Sequence, residues 1–187
     1  MALKQFMTNF ISLIKTKNIL SHNDKIKRNI RKADFSDSKF ICECIKKGRE
    51  EKHFYGEVFA REKIKNLIEY NSATNEFFIF ENENNEKVGF AYCGFQERYY
   101  GFEINMLYIL ENYRHIGITT DFIKYYEKYI YNNYNEGNKF IARCDINNSK
   151  EAIALFKKMG YKKISEEKTA KYTFDVLMKT YIARNYI

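Results

Sequence analysis

The chain of 187 residues has no proline, no tryptophan, only eight glycines and only three histidines. Without proline, helix ends must rest on glycine, asparagine and side-chain caps. His22 and His53 join no cluster of ligating residues, so no metal site is expected. Cys42, Cys44, Cys93 and Cys144 make neither a CxxC pair nor a Cys/His zinc spacing. They read as free thiols of a reducing compartment. No apolar run approaches the ~18 residues of a membrane span. The N-terminal apolar residues are interrupted by Lys4, Gln5 and Asn9, unlike the core of a signal peptide. A cytoplasmic protein is the expectation.

What is present is ordinary for a globular chain: 45% hydrophobic and 30% charged residues. Lys, Asn, Ile and Tyr are abundant, the imprint of AT-rich coding. The formal charge of +8 is uneven, because residues 1–34 carry eight Lys/Arg against Asp24 and Asp34. That arm holds +6 and leaves +2 for the other 153 residues. A nucleic-acid-binding body should instead show a dense basic face. The length suits one domain with an arm: residues 1–25 as an amphipathic helix and linker, and 26–187 as the folded body.

Within the arm, Leu3, Phe6, Met7, Phe10, Ile11, Leu13 and Ile14 repeat at helical spacing. A short strand over 26–31 leads to a turn with Asp34, Ser36 and Asp37 as cap candidates. Two helices follow, over 40–54 and 59–70. Strands at 76–80 and 87–95 form a hairpin with a polar tip, and 101–110 is a further strand. A helix over 119–134, a strand over 139–146, a helix over 149–160 and two closing strands complete the order β-α-α-β-β-β-α-β-α-β-β. Two β-α-β units should run parallel and right-handed. The fold class is α+β.

Two stretches carry chemistry. In "YRHIGITTDFI" an apolar strand passes into a helix through Arg114, His115, Ile116, Gly117, Ile118, Thr119 and Thr120. A helix N-terminus behind a glycine loop gathers backbone N–H groups around an anion. In "NNSKEAIALFKKMGY", Asn148 and Glu151 suggest a capping box. Ala152, Leu155, Phe156 and Met159 form an apolar stripe, and Gly160 suits a left-handed helix end.

In this order and spacing, the two stretches resemble the GNAT acyltransferase superfamily over roughly residues 26–180. "RHIGIT", Arg114 to Thr119, is similar to that family's [RQ]-x-x-G-x-[GA] motif, whose amides hold the pyrophosphate of acetyl-CoA. "NSKEAIALFKKMGY" is similar to its N-x-x-A-x-x-L-Y-x-x-x-G-F helix. The resemblance implies a mixed, mostly antiparallel sheet flanked by helices, here with an extra N-terminal amphipathic helix. It implies acetyl-CoA, or another acyl-CoA, as the ligand of Arg114 to Thr120. It also implies that the backbone of Leu107, Tyr108 and Ile109 pairs with pantetheine, and that Asn148 or Ser149 and Phe156 lie against the donor. Two positions depart from the pattern: Thr119 stands where Gly or Ala is usual, and Phe156 where a proton-donating Tyr is common.

Acetyl transfer to an amine needs an acceptor for the amine proton and stabilisation of developing charge. Glu103 is the base candidate, since strand alternation would put Glu103, Asn105 and Leu107 on one face; the bland alternative is a solvent-facing edge residue. A backbone N–H near Tyr108 or Ile109 could polarise the carbonyl. For the acid, Tyr108, Tyr125 and Tyr161 are the candidates near the motifs, and Tyr108 is the one placed with Glu103 in the catalytic site. The expected activity is acetyl-CoA-dependent N-acetyltransfer to a primary amine of a small molecule or protein, an acidic acceptor being one option. The alternative is a non-catalytic acyl-CoA sensor or interaction module whose basic arm meets nucleic acid or membrane. A homodimer is open.

Overall fold

A computed structural model describes residues 29–53, 59–69, 75–134 and 139–180. The N-terminal amphipathic helix and linker lie outside these residues.

Seven strands form one sheet: β1 (Asn29–Lys32), β2 (Asn75–Glu81), β3 (Lys87–Gln96), β4 (Gly101–Ile109), β5 (Lys139–Asp145), β6 (Lys162–Lys168) and β7 (Thr173–Thr180). Among the described residues four helices accompany them: α1 (Ser38–Glu50), α2 (Arg61–Glu69), α3 (Ile118–Asn133) and α4 (Lys150–Lys158). The element order is the one expected from the sequence. The sheet order is β1-β2-β3-β4-β5-β7-β6, and only β4 and β5 pair in parallel. The second β-α-β unit, β5-α4-β6, departs from expectation: β6 runs parallel to β5, but β7 lies between them and pairs antiparallel with both.

The strands β2 and β3 are buried on both sides, which explains why β2 reads as a continuous apolar run instead of alternating. Phe77 and Ile79 face α1 and α2, packing with Ile41, Ile45 and Ile64. Phe78 and Phe80 face the opposite way, against Phe122 and Tyr126 of α3. α3 supplies this face with Ile118, Phe122, Ile123, Tyr126 and Ile130, all on one helical stripe.

Local chemistry sets the element ends. Asp34 and Asp37 close a reciprocal capping box over the turn Phe35–Asp37 that precedes α1. Asn82 closes the β2–β3 hairpin by accepting the N–H groups of Asn84 and Glu86 at 3.0 Å. α4 ends at Gly160, φ 92°, where the Tyr161 N–H donates to Phe156 O and the Gly160 N–H to Lys157 O, both at 3.0 Å. That double bond pattern is a Schellman end, and the Phe156–Tyr161 ring contact at 4.9 Å supplies its hydrophobic partner. The start of α4 corrects an expectation. Ser149 is its N-cap, without a side-chain cap bond, while Asn148 donates to Asp145 Oδ2 at 2.8 Å. The helix begins at Lys150, which leaves Asn148 one residue outside the cap position, so no Asn148–Glu151 box forms.

Candidate active site

β4 carries the centre of the site, and its register decides which side chains meet. Tyr92 pairs with Met106 but Cys93 pairs with Ile104, so Asn105 is one residue extra on β4. Such a bulge re-aims everything after it. Phe102 and Ile104 before it, and Leu107 and Ile109 after it, pack on the α3 side. Met106 and Tyr108 pack on the α1–α2 side. The expectation of Glu103, Asn105 and Leu107 on one face is therefore corrected: the bulge sends Leu107 to the face opposite Glu103.

Glu103 is not a solvent-facing residue either; it is 1% exposed. Arg143 of β5 grips it with Nε donating to Oε1 at 2.5 Å and Nη2 to Oε2 at 3.2 Å. Gln96 Nε2 adds a third bond to Oε2 at 3.2 Å. Burial would lower the Arg143 pKa, but the bonds to Glu103 outweigh it and raise it. Guanidinium and carboxylate thus meet through two charge-assisted hydrogen bonds. Arg143 also comes within 3.5 Å of Glu167 on β6.

Beside this pair opens a cavity of about 200 Å³, lined by Glu103, Asn105, Met106, Arg143, Asp145, Ser149, Phe174 and His53. Asp145 is 2% exposed and accepts from the Asn147 N–H at 3.0 Å and from Asn148. Two buried carboxylates in one cavity give it a preference for a cation, tempered by Arg143.

The cavity takes lining residues from both β4 and β5. These strands register only at Phe102↔Phe140 and Glu103↔Ile141, although both continue beyond. β5 carries on pairing with β7 as far as Asp145, and β4 with β3 as far as Ile109. The facing edges of Leu107 to Ile109 and of β5 therefore leave a slot. Gly101 sets its closed end: a Cβ there would stand 2.9 Å from Lys139 O.

At the other end lies the loop into α3. A short turn, Glu111–Tyr113, precedes Arg114 (φ −76°, ψ 160°). His115 (φ 63°) and Gly117 (φ 92°) are both left-handed. Gly117 is the N-cap of α3 and brings no side chain to that position. Alternation of this kind turns successive N–H groups toward one concave side. His115 is exposed, Ile118 is buried, and Ile116, Thr119 and Thr120 are half-buried. A left-handed His is uncommon and strained, the kind of residue that clusters at ligand clamps.

The tyrosines are placed apart. Tyr161 is buried, donates to Glu127 Oε1 at 3.0 Å and carries Lys179 over its ring, so it serves the core. Tyr125 packs on Phe78 of β2, three strands from β5. Tyr108 donates to Glu51 Oε1 at 2.8 Å. Burial, then the Glu51 carboxylate, pushes its hydroxyl up to about 12, so it keeps its proton at any physiological pH. Phe156 is 7% exposed against Tyr161.

Sequence reasoning missed Arg143, Asp145, His53 and Glu51. The first two left a faint signal as lone charges within the apolar strand "KFIARCDI". The others left none. Among the described residues no cluster of His, Cys, Asp or Glu could hold a metal.

Comparison with curated protein sequences gives no match. Solved structures share the fold at low identity. A spermidine N-acetyltransferase from Vibrio cholerae, in complex with CoA and spermine, superposes with TM-score 0.69 at 13% identity, over 82% of this chain and 95% of that one. PaiA N-acetyltransferase from Thermoplasma acidophilum, in complex with coenzyme A, gives 0.65 at 19% identity, over 83% and 100%. An N-acetyltransferase from Staphylococcus aureus Mu50 gives 0.65 at 16%, over 82% and 97%. A family model described as "Acetyltransferase (GNAT) domain" matches residues 32–182, taking in the slot, the glycine loop and the Glu103 cavity alike. On that match the chain belongs to the GNAT acetyltransferase family.

Proposed function

We infer that the protein transfers an acetyl group from acetyl-CoA to a primary amine of a small molecule or protein. The observation that carries this reading is the parting of β4 and β5 between the left-handed Gly117 loop and the Glu103 cavity. The residues present fit acetyl-CoA. A loop with a glycine N-cap suits a pyrophosphate, and an unregistered strand edge suits an amide-bearing pantetheine arm. When bound, acetyl-CoA supplies an acetyl thioester.

The backbone N–H groups of Ile116, Gly117, Ile118, Thr119 and Thr120 are assigned to the pyrophosphate, with His115 at the solvent rim. The main chain of Leu107, Tyr108 and Ile109 is assigned to pantetheine, and an N–H near Tyr108 or Ile109 to the developing negative charge. Phe156 and Asn148 are assigned to the donor as well. Glu103 and Asp145 draw the ammonium of the acceptor into the cavity, and Glu103 accepts its proton. Tyr108, held protonated, is a donor only. The cavity charges favour a cationic amine end, and spermine, bound by one solved relative, belongs in the first amine screen. The absence of a described helix long and apolar enough to cross a membrane agrees with a cytoplasmic enzyme. The sensor reading gains nothing from the family assignment.

The test is calorimetric titration of acetyl-CoA and desulfo-CoA into the wild type and Gly117→Trp, followed by thiol release across amines. Micromolar binding that the variant loses is expected; no binding at millimolar ligand would overturn the reading. The protein's own thiols at Cys44 and Cys144 are pushed up to about 12 by burial and will stay silent in the thiol assay.

A further inference from the structure

Arg114 opens the glycine loop, yet its side chain is committed elsewhere. Nε donates to Ile109 O at 2.9 Å and Nη2 to Glu51 Oε2 at 2.5 Å. The guanidinium lies over the Tyr108 ring, 5.2 Å from its centroid, while the Tyr108 hydroxyl donates to the other oxygen of Glu51. Glu51 stands just past the end of α1, and its Oε2 is also 3.2 Å from His53 Nε2, at the wall of the Glu103 cavity. Tyr108 packs with the α1–α2 cluster, on the sheet face opposite α3. Burial works against the Glu51 charge, but Arg114 and Tyr108 hold its carboxyl below the ordinary range.

We propose that Glu51 is a positioning residue that braces the donor loop from the acceptor side. It holds Arg114 as a strut between α1 and the end of β4, so that Arg114 serves the pyrophosphate through the loop's backbone and not through its own charge. The two oxygens of one carboxylate fix two groups, Tyr108 on the pantetheine edge and Arg114 on the loop. His53 extends the same contact to the cavity wall. Donor and acceptor sides are thereby coupled through one side chain, a linkage that typically reaches 5- to 150-fold in affinity. This inference rests on the acetyl-CoA reading.

The experiment is CoA titration by calorimetry into the wild type, Glu51→Gln, Arg114→Met and the double variant, with melting temperatures as a fold control. A strut predicts that each single variant weakens CoA binding about tenfold and that the double variant is no weaker than either, because both remove one interaction. A phosphate-binding Arg114 predicts the reverse for Glu51→Gln, which would bind as well as or better than wild type after losing a negative charge; that result overturns the proposal. A second readout is the His53 imidazole resonance, expected to shift on adding CoA to the wild type and to stay still in Arg114→Met. A resonance that stays still in the wild type, or shifts equally in both, also overturns it. Failure of the wild type itself to bind CoA would sink the acetyl-CoA reading, a result separate from any ranking of the variants.

Discussion

Glu103 is a carboxylate that the fold has drawn inside and matched to a guanidinium 40 residues away in sequence. The two-point contact with Arg143, with Gln96 as a third partner, fixes the aim of its oxygens. Replacing Glu103 with glutamine preserves shape and removes the proton acceptor. Glu103→Gln should lower kcat about 100-fold or more while leaving the calorimetric affinity for acetyl-CoA within about twofold of wild type. Equal losses in both would mean the residue shapes the slot instead. Phe156 offers the complementary gain. Its ring packs edge-on to Tyr161, and a hydroxyl at its tip would restore the donor that the family pattern carries there. Phe156→Tyr should raise kcat about tenfold at neutral pH, the equivalent of about 1.4 kcal/mol. An unchanged kcat would mean that the thiolate, with an ordinary thiol pKa near ~8.5, leaves unaided.

At the scale of elements, β3 and β4 pair over most of their length. Gly89 sits where a Cβ would meet Tyr108 O at 2.5 Å and the Phe80 ring at 2.9 Å, too close for any side chain. Gly89→Ala should cost about 1–3 kcal/mol by forcing β3 away from β4, read as a fall in denaturant midpoint. The bulge at Asn105 belongs to this scale too. Strand alternation read from the sequence assigns Glu103 and Leu107 to one face. One inserted residue reverses that, because the side-chain period is two. The same mechanism accounts for Ile164, a bulged residue on the edge strand β6 that stands 47% exposed. The end of α4, by contrast, was legible: Gly160 adopts the left-handed conformation that its position suggested, and Gly117, the glycine of the loop into α3, is left-handed as well.

Across the whole molecule, acid stability is expected to centre on Asp37, fully buried at the foot of α1. Burial alone would raise its pKa, yet Arg31 and Lys87 pull it from 3.8 down to about 2. A carboxyl depressed in the folded state contributes stability above its unfolded pKa and loses it as pH falls through the folded one. Wild type should therefore lose stability between pH 4 and pH 2 through this group. Asp37→Asn should be less stable at pH 6 by on the order of 3 kcal/mol, since it leaves two cations facing a buried amide. The gap between the two proteins should narrow as the pH approaches 2; thermal melts from pH 2 to pH 6 measure it.

What the sequence determined by itself was carried by near neighbours. Hydrophobic period marked the helices and strands in their order, and glycine placement marked the turn into α3 and the end of α4. The R-x-x-G loop and the N-to-G helix, read together, led to the family. The tertiary structure decided what depends on chain segments far apart. It set β7 between β5 and β6, the parting of β4 from β5, the reversal of faces at Asn105, and the meeting of Glu103 with Arg143 and of Arg114 with Glu51. The physical reason is range. Backbone propensity and caps act over a few residues, whereas strand register and buried ion pairs are chosen by the packing of the entire sheet.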